Sequence, residues 1–279
     1  MEPEENKANE VVVCHLGRAE YEPTWDLQRR LQSSLAAAKR IDPNHREPHV
    51  ILTVEHPPVY TLGKSGDVSN LLIGSKELSA EGATFIQIDR GGDITFHGPG
   101  QLVVYPILDL GHFFLDIHRY LRTLEDVVIA TCRDFGVGAG RSTGRTGVWV
   151  GPDARGAERK ICAMGIKCSR WVTSHGLALN VNTDLKYFQN IVPCGIADRG
   201  VTSLSAEMDR KVEISDVAPV IIGHMARLFE MSIRQFSGAP AYEYLRVRLG
   251  EQEQLAGSMS EEHPKTSASK PIVFDDTQR

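Results

Sequence analysis

The sequence predicts an α+β fold with a mixed, mainly antiparallel sheet and flanking helices. Two observations support this. Helical periodicities and short apolar runs are interleaved irregularly along the chain, and several predicted strands follow one another without a helix between them. A doubly wound parallel sheet would instead alternate strand and helix regularly. The chain contains no internal repeat, which argues against a solenoid.

The predicted strands are short apolar or alternating runs that end at turn residues. They lie at 11–16, 50–54, 85–88, 102–108, 147–150, 160–168 and 171–181. The first ends at Gly17, the second at His56-Pro57-Pro58, and a polar hairpin loop at 151–158 precedes the sixth. The succession of strands at 147–181 favours antiparallel hairpins.

The predicted helices carry apolar residues on one face and begin with capping residues. They lie at 23–38, 75–81, 116–135, 184–190 and 215–231, with a weak helix at 241–250. Leu27, Leu31 and Leu35 recur every four residues in the first helix. Asp116, Asp184 and Ser215 are the predicted caps of three later helices. The pattern predicts a flexible N-terminus at 1–10, one domain at 11–236, and a disordered tail with the weak helix at 237–279.

Composition excludes several classes of protein. The 279 residues are 41% hydrophobic and 24% charged with a net charge of −5, so no basic surface for nucleic acid is expected. No run reaches the roughly 18 apolar residues that a membrane helix needs. The odd count of five cysteines, without a CxxC pair, favours free thiols in a reducing compartment.

Cys194 stands between Pro193 and Gly195, a pattern typical of a tight turn. A thiol in such a turn would be presented to a substrate, and we take Cys194 as a candidate acyl-carrying nucleophile. The alternative is a buried cysteine that acts as a small apolar residue. A nucleophilic thiol needs a nearby cation or base, and the candidates are Lys160 and His175.

Lys160 is in phase with the apolar face formed by Cys162, Met164 and Ile166, at the N-terminal end of its strand. The alternative to a functional role for Lys160 is an ordinary surface lysine. For His97 and His175 the alternative is a hydrogen-bonded structural imidazole. The glycine-rich loop at 90–101 is either an acyl cradle or a plain turn. The histidines at 45, 49 and 56 have no settled metal-ligand geometry, so no metal site is predicted.

Four segments in order then resemble one family, the octanoyl (lipoyl) transferases of lipoate synthesis. They are Arg90-Gly91-Gly92-Asp93-Ile94-Thr95-Phe96-His97-Gly98-Pro99-Gly100-Gln101, Lys160-Ile161-Cys162-Ala163-Met164-Gly165, Ser174-His175-Gly176-Leu177-Ala178-Leu179-Asn180 and Pro193-Cys194-Gly195. The resemblance covers about 11–235. It implies the fold of the biotin and lipoate protein ligase catalytic domains.

The resemblance also implies a chemistry. An octanoyl or lipoyl group would pass from acyl carrier protein to a lysine of a lipoyl domain of a 2-oxoacid dehydrogenase E2 subunit, or of glycine-cleavage H protein. Cys194 matches the residue that forms the acyl thioester, and Lys160 matches the lysine that lowers the pKa of the thiol and shuttles protons. The matching substrate-binding residues are Arg90, Gly91, Gly92, Asp93, Ile94, Thr95, Phe96, His97, Ala163, Met164, Gly165, Gly176, Leu177 and Ala178.

Further expectations concern cofactor and compartment. No cofactor is expected, since acyl transfer from a thioester needs no ATP and the chain lacks a GxxxxGK[ST] loop. Neither nucleic acid nor a membrane is an expected partner. The family is mitochondrial in eukaryotes, yet the acidic start Met1-Glu2-Pro3-Glu4-Glu5 does not resemble a presequence, so the alternative is cytoplasmic.

Two other functions remain open from the sequence. An ATP-dependent lipoate or biotin ligase of the same fold would activate a free acid and would not need Cys194. A non-catalytic acyl-carrier-binding protein would form no acyl adduct. The long 151–158 loop and the extended C-terminus depart from the simplest family pattern without touching its motifs.

Overall fold

A computed structural model of the chain describes residues 9–42, 45–192 and 200–251. Within them, nine strands form one sheet. In spatial order they are β12 (Met231–Ser237), β1 (Asn9–Arg18), β2 (His49–Glu55), β6 (Gln101–Ile107), β10 (Val172–Asn180), β9 (Arg159–Ser169), β8 (Val148–Val150) and β7 (Ala139–Gly140), with β11 (Gly200–Val201) beside β9. A second sheet has the order β4 (Thr84–Gln87), β3 (Val59–Leu62) and β5 (Ile94–His97).

The helices flank these sheets. They are α1 (Tyr21–Ile41), α2 (Ser75–Ala80), α3 (Ile117–Asp134), α4 (Leu204–Met208), α5 (Ile214–Leu228) and α6 (Ala239–Arg248), with 3₁₀ turns at Val68–Asn70, Leu110–His112 and Leu185–Asn190. In the part of the chain described, no helix has the length and apolarity to cross a membrane.

The large sheet is mixed, as the sequence predicts. The pairs from β2 through β6, β10, β9 and β8 to β7 are all antiparallel. The pairs of β1 with β2 and with β12 are parallel, and so is that of β11 with β9. The predicted α+β fold class with a mainly antiparallel sheet is therefore confirmed.

Alternation along the strands separates two cores. Val11, Val13 and Ile51 point to one face, where α3 and α5 pack, whereas Val12 and Leu52 point to the other, under α1 and α6. This is the period of two expected for a sheet buried on both faces. The second sheet and the start of α1 lie near the second face, and a cavity forms there.

Several boundaries differ from the prediction. The 90–101 segment, predicted as a loop throughout, contains β5. No strand was predicted at Val59–Leu62, where the structure has β3. Both strands have four residues and are stabilised by pairing with each other. A run of four residues is too short for its own pattern to indicate a strand. The predicted cap Ser215 is wrong, because Glu213 precedes the first helical residue of α5, and Met231 opens β12 rather than ending that helix.

The weak helix predicted at 241–250 corresponds to α6, which buries Ala241 and Leu245 against the α1 side of the sheet. Pro240 suits its first turn. Of the ends predicted to be flexible, 1–10 and 237–279, residues 1–8 and 252–279 lie outside the described residues. The division into domains stays a prediction.

Candidate active site

The cavity lies between the large sheet, the start of α1 and β5 with the loop that precedes it. Its empty space, including its mouth, is about 790 Å³. Its lining residues are Tyr21, Arg90, Gly92, Asp93, Ile94, Thr95, His97, Gln101, Val103, Tyr105, Lys160, Ala163, Met164, Gly165, His175, Gly176, Leu177, Ala178, Asn180, Phe188 and Val201.

Strand register orders the floor of this cavity. Gln101 pairs with Asn180 at one end, and Val103 pairs with Ala178, which in turn pairs with Ala163. Tyr105 lies two residues beyond Val103 on the same face. Four residues of strand, at about 3.3 Å each, separate Gln101 from Tyr105 by ~13 Å. The floor is thus polar at one end, apolar and small in the middle, and aromatic at the other end.

Arg90 anchors the loop that covers the floor. Its Nη2 donates to the Thr61 carbonyl (2.8 Å) and to Thr61 Oγ1 (3.0 Å), and its Nη1 donates to the Gly91 carbonyl (3.1 Å). A Cβ added at Gly165 would lie 2.9 Å from Arg90 Cδ and from Gly91 O. Glycine at 165 therefore allows the loop to cross directly over β9.

A buried hydrogen-bond chain joins this covering layer to the floor. His97 Nδ1 donates to Gln101 Oε1 (2.7 Å), and Gln101 Nε2 donates to Asn180 Oδ1 (2.9 Å). Asn180 Nδ2 then donates to the Thr202 carbonyl (3.0 Å), and the Thr202 N–H donates to the Lys160 carbonyl (2.9 Å). Burial lowers the pKa of His97 to about 3, so the imidazole is neutral and holds one tautomer.

Lys160 reaches the cavity because β9 carries a bulge. Trp149 pairs with Lys160 whereas the adjacent Val148 pairs with Cys162, so Ile161 is the extra residue. Ile161 and Cys162 both lie in the α3–α5 core, while Lys160 lines the cavity. The prediction that Lys160 shares the face of Cys162 is therefore wrong. Its Nζ lies 4.7 Å from the centre of the Trp149 ring, a cation–π distance.

His175 is held by a carboxylate at the edge of the cavity. Its Nε2 donates to Asp89 Oδ1 (2.8 Å), which also accepts from Trp25 Nε1 (3.1 Å), and Lys167 Nζ donates to Asp89 Oδ2 (2.6 Å). The hydrogen bond from His175, more than that from Lys167, holds the pKa of Asp89 well below its usual range. Burial lowers the pKa of His175 despite this carboxylate. Both observations fit a positioned, neutral imidazole.

The structure brings together most residues that the sequence predicted for this site. Gly91 and Phe96 are the predicted binding residues that do not line the cavity. Gly91 bonds through its N–H to the Ile166 carbonyl, and Phe96 stacks on Tyr187 with 4.5 Å between ring centres. Both support the cavity from behind.

Other lining residues were not predicted. They are Tyr21, Gln101, Val103, Tyr105, Asn180, Phe188 and Val201, together with His175, which was considered only as a partner of the thiol. Gln101 and Asn180 belong to the quoted motifs, and that membership was the available signal. Tyr21 and Phe188 reach the site from distant helical segments, so only tertiary packing assigns them.

Cys194 lies outside the described residues. The described chain stops at Val192 and resumes at Gly200. Val201, seven residues after Cys194, pairs with Lys160 and lines the cavity. Of the four cysteines described, Cys14, Cys132 and Cys162 are buried and Cys168 is exposed. Burial raises the pKa of all four thiols, which makes them poor nucleophiles.

The histidines considered for a metal have other roles. His49 Nδ1 accepts from the Asp109 N–H (3.2 Å), and His56 Nδ1 donates to the Ala19 carbonyl (2.7 Å). His49 is the first residue of β2, and His56 directly follows the last. Over 9–42, 45–192 and 200–251, no group of three His, Cys, Asp or Glu side chains could hold a metal ion.

These buried histidines predict an acid-sensitive fold. Burial lowers the pKa of His49 and His97 to about 3 and that of His56 to about 4, against about 6.5 unfolded. Their contribution is complete above pH ~6.5 and declines toward those folded pKa values, with a slope of up to ~1.4 kcal/mol per pH unit for each histidine. We expect urea unfolding between pH 5 and 6.5 to show this slope and His49→Gln to make it shallower; an unchanged slope in that variant would contradict the assignment.

Comparison with known proteins agrees with this geometry. Residues 20–226 match the family described as lipoyl protein ligase A/B catalytic domain. The octanoyltransferase of Flavobacterium johnsoniae is 54% identical over 225 residues, which are 78% of this chain and 96% of that protein. The octanoyltransferase of Salinispora tropica is 44% identical, over 79% of this chain and 97% of that protein.

Solved structures show the same fold at low identity. A bipartite lipoate protein ligase from Thermoplasma acidophilum has a TM-score of 0.60 at 17% identity, covering 87% of this chain and 93% of that one. Lipoate-protein ligase A bound with ATP has a TM-score of 0.60 at 16% identity, covering 88% of this chain and 95% of that one. The fold, the matched domain and the relatives agree: the chain belongs to the octanoyltransferase family, with a catalytic domain of the lipoyl protein ligase A/B type, and is an acyltransferase.

Proposed function

We propose that the chain transfers an octanoyl group from acyl carrier protein to a lysine of a lipoyl domain through a thioester on Cys194. The observation that carries this proposal is the cavity floor. Its small apolar centre, where Val103, Ala178 and Ala163 lie side by side, separates the polar Gln101 end from Tyr105. The ~13 Å of strand between Gln101 and Tyr105 leaves room for an extended eight-carbon chain.

The first half of the proposed reaction moves the acyl group to the enzyme. The Cys194 sulfur attacks the carbonyl carbon of the donor thioester, while Lys160 takes up the thiol proton. The tetrahedral intermediate collapses as the carbon–sulfur bond of the donor breaks, and the proton passes to the leaving thiolate. One thioester replaces another, so neither ATP nor a redox partner is required.

In the second half, the amine of the acceptor lysine attacks the Cys194 thioester. An amide forms, the bond to Cys194 breaks, and a proton from the amine restores the thiol with Lys160 as the shuttle. Lys160 suits this work because its Nζ lies over the Trp149 ring at the end of the apolar floor. The neutral amine takes up the thiol proton, and the ring face then stabilises the ammonium that forms. The Thr202–Asn180–Gln101 chain holds the lysine's own backbone.

The acceptor and donor are part of the proposal. The Thermoplasma structure was determined as part of a lipoylation system with an E2 lipoyl domain, which supports a lipoyl domain as acceptor here. Glycine-cleavage H protein is proposed as a second acceptor, and acyl carrier protein as the donor.

Intact-mass measurement tests the proposal against its rivals. After incubation with octanoyl-acyl carrier protein, the enzyme should gain the mass of one octanoyl group. When lipoyl domain is then added, the enzyme should lose that mass and the lipoyl domain should gain it. Free octanoate with ATP should acylate neither protein. Acylation that needs ATP would favour an ATP-dependent ligase, since solved ligases share the fold. Binding of the carrier without any adduct would favour a non-catalytic protein.

A further inference from the structure

Two tyrosines line the end of the cavity remote from Lys160, and a histidine packs behind them. We call Tyr21, Tyr105 and His56 the end wall. His56 donates through Nδ1 to the Ala19 carbonyl (2.7 Å), so its Nε2 accepts from the Tyr105 hydroxyl (2.9 Å). All three side chains are buried.

The rings of the end wall are also packed against their neighbours. Tyr21 stacks on His97 with 5.6 Å between ring centres and an interplanar angle of 15°. It lies 5.0 Å from the His56 ring centre. Tyr21 is thus packed between two buried imidazoles, and Tyr105 is fixed by its hydrogen bond to His56, so the wall is rigid.

Beyond the end wall, α1 covers the sheet. Gln28 Oε1 accepts from the His175 N–H (2.8 Å), and Gln32 Nε2 donates to the Val172 carbonyl (2.8 Å). Leu31 and Leu35 fill the core on the same face. The floor therefore has no continuation past Tyr105 unless Tyr21, the first residue of α1, gives way.

From this arrangement we infer that the end wall sets the maximum length of the acyl chain, with Tyr21 as the specificity-determining residue. The inference rests on the proposed function, which places the reacting carbonyl at the Lys160 end. An octanoyl chain laid along Ala163 and Ala178 ends before the tyrosines. A longer chain that reaches the tyrosines would have to displace a packed ring, and one methylene in a closed apolar pocket changes specificity by about ten-fold or more.

The same wall explains why a polar network closes an apolar cavity. The Tyr105 hydroxyl donates to His56 Nε2, so at Tyr105 the cavity meets a ring and not an unpaired polar atom. A chain terminus meets a hydrocarbon surface, but that surface cannot retreat without breaking the network.

The test measures kcat/KM for octanoyl, decanoyl and dodecanoyl thioesters of acyl carrier protein, with a lipoyl domain as acceptor. Tyr21→Ala opens the wall, and we expect the dodecanoyl-to-octanoyl ratio to rise by about ten-fold or more. Tyr21→Phe is the matched control, since it keeps the ring, and its ratio should stay within about two-fold of the wild type.

A second variant shortens the cavity by a substitution in its floor. Ala178→Leu fills the middle of the cavity, and we expect it to shift preference from octanoyl to hexanoyl thioester. It also decides the matter if Tyr21→Ala does not fold, as judged by circular dichroism. A folded Tyr21→Ala enzyme with the wild-type ratio, or an Ala178→Leu enzyme that still prefers octanoyl, overturns the inference. A wild-type enzyme that transfers no acyl chain refutes the proposed function instead.

Discussion

Replacing Cys194 with alanine should abolish octanoyl transfer and the octanoyl adduct on the enzyme. A nucleophile that forms the covalent intermediate has no substitute in the site, and we expect a loss of about 10⁴-fold or more in kcat. The four cysteines described have thiol pKa values raised by burial and are not replacements. The measurement is transfer to a lipoyl domain, followed by intact mass of both proteins.

Cys168→Ala is the matched control for this variant. Cys168 is the exposed cysteine among those described, and it lies on the strand that carries Lys160. We expect Cys168→Ala to transfer at the wild-type rate and to keep the adduct. Substantial turnover by folded Cys194→Ala, or an adduct that disappears with Cys168 instead, would refute the thioester on Cys194.

Replacing Lys160 with methionine should have the second largest effect. Methionine keeps an unbranched apolar stem of similar length but cannot carry a proton, so the proton transfers at both thiols lose their shuttle. Positioned general acid–base groups contribute about 10²–10⁴-fold, and we expect a loss of that order in kcat. The stem should still pack over Trp149, so the fold should be retained.

Alkylation of Cys194 by iodoacetamide separates this role from a structural one. Loss of a nearby cation destabilises a thiolate and raises the pKa of the thiol. The pH at which alkylation becomes fast should therefore be higher for Lys160→Met than for the wild type. Lys186→Met, at an exposed lysine on the 3₁₀ turn before Ile191, is the control and should match the wild type. Identical alkylation profiles for Lys160→Met and the wild type would exclude the proposed role.

Much of the site could be predicted from the sequence because each of its parts is a short continuous segment. The 90–97 segment, 163–165 and 176–178 each occupy a continuous stretch with glycines at fixed places, and the folded chain brings all three to one cavity. The glycines have a packing reason, since a Cβ at Gly165 would meet the Arg90 loop at 2.9 Å. Such close approach of the backbone favours glycine, so the requirement is visible in the sequence.

The face on which Lys160 lies could not be read in this way. Strict alternation places it with Cys162, but the bulge at Ile161 inserts one residue and reverses the phase. A bulge depends on the pairing of β9 with β8, which is a contact between strands. Strands β3 and β5 were missed for a similar reason, because runs of four residues are stabilised by each other more than by their own propensity.

By itself, the sequence determined the α+β class, the family and the motifs of its chemistry, since each depends on residue order over short distances. The tertiary structure decided where the cavity ends. Tyr21, Tyr105 and His56 come from a helix, a strand and a loop, and their closure of the cavity exists only when α1 packs on the sheet. Side chains far apart in the chain carry no common pattern, so their meeting is a property of packing alone.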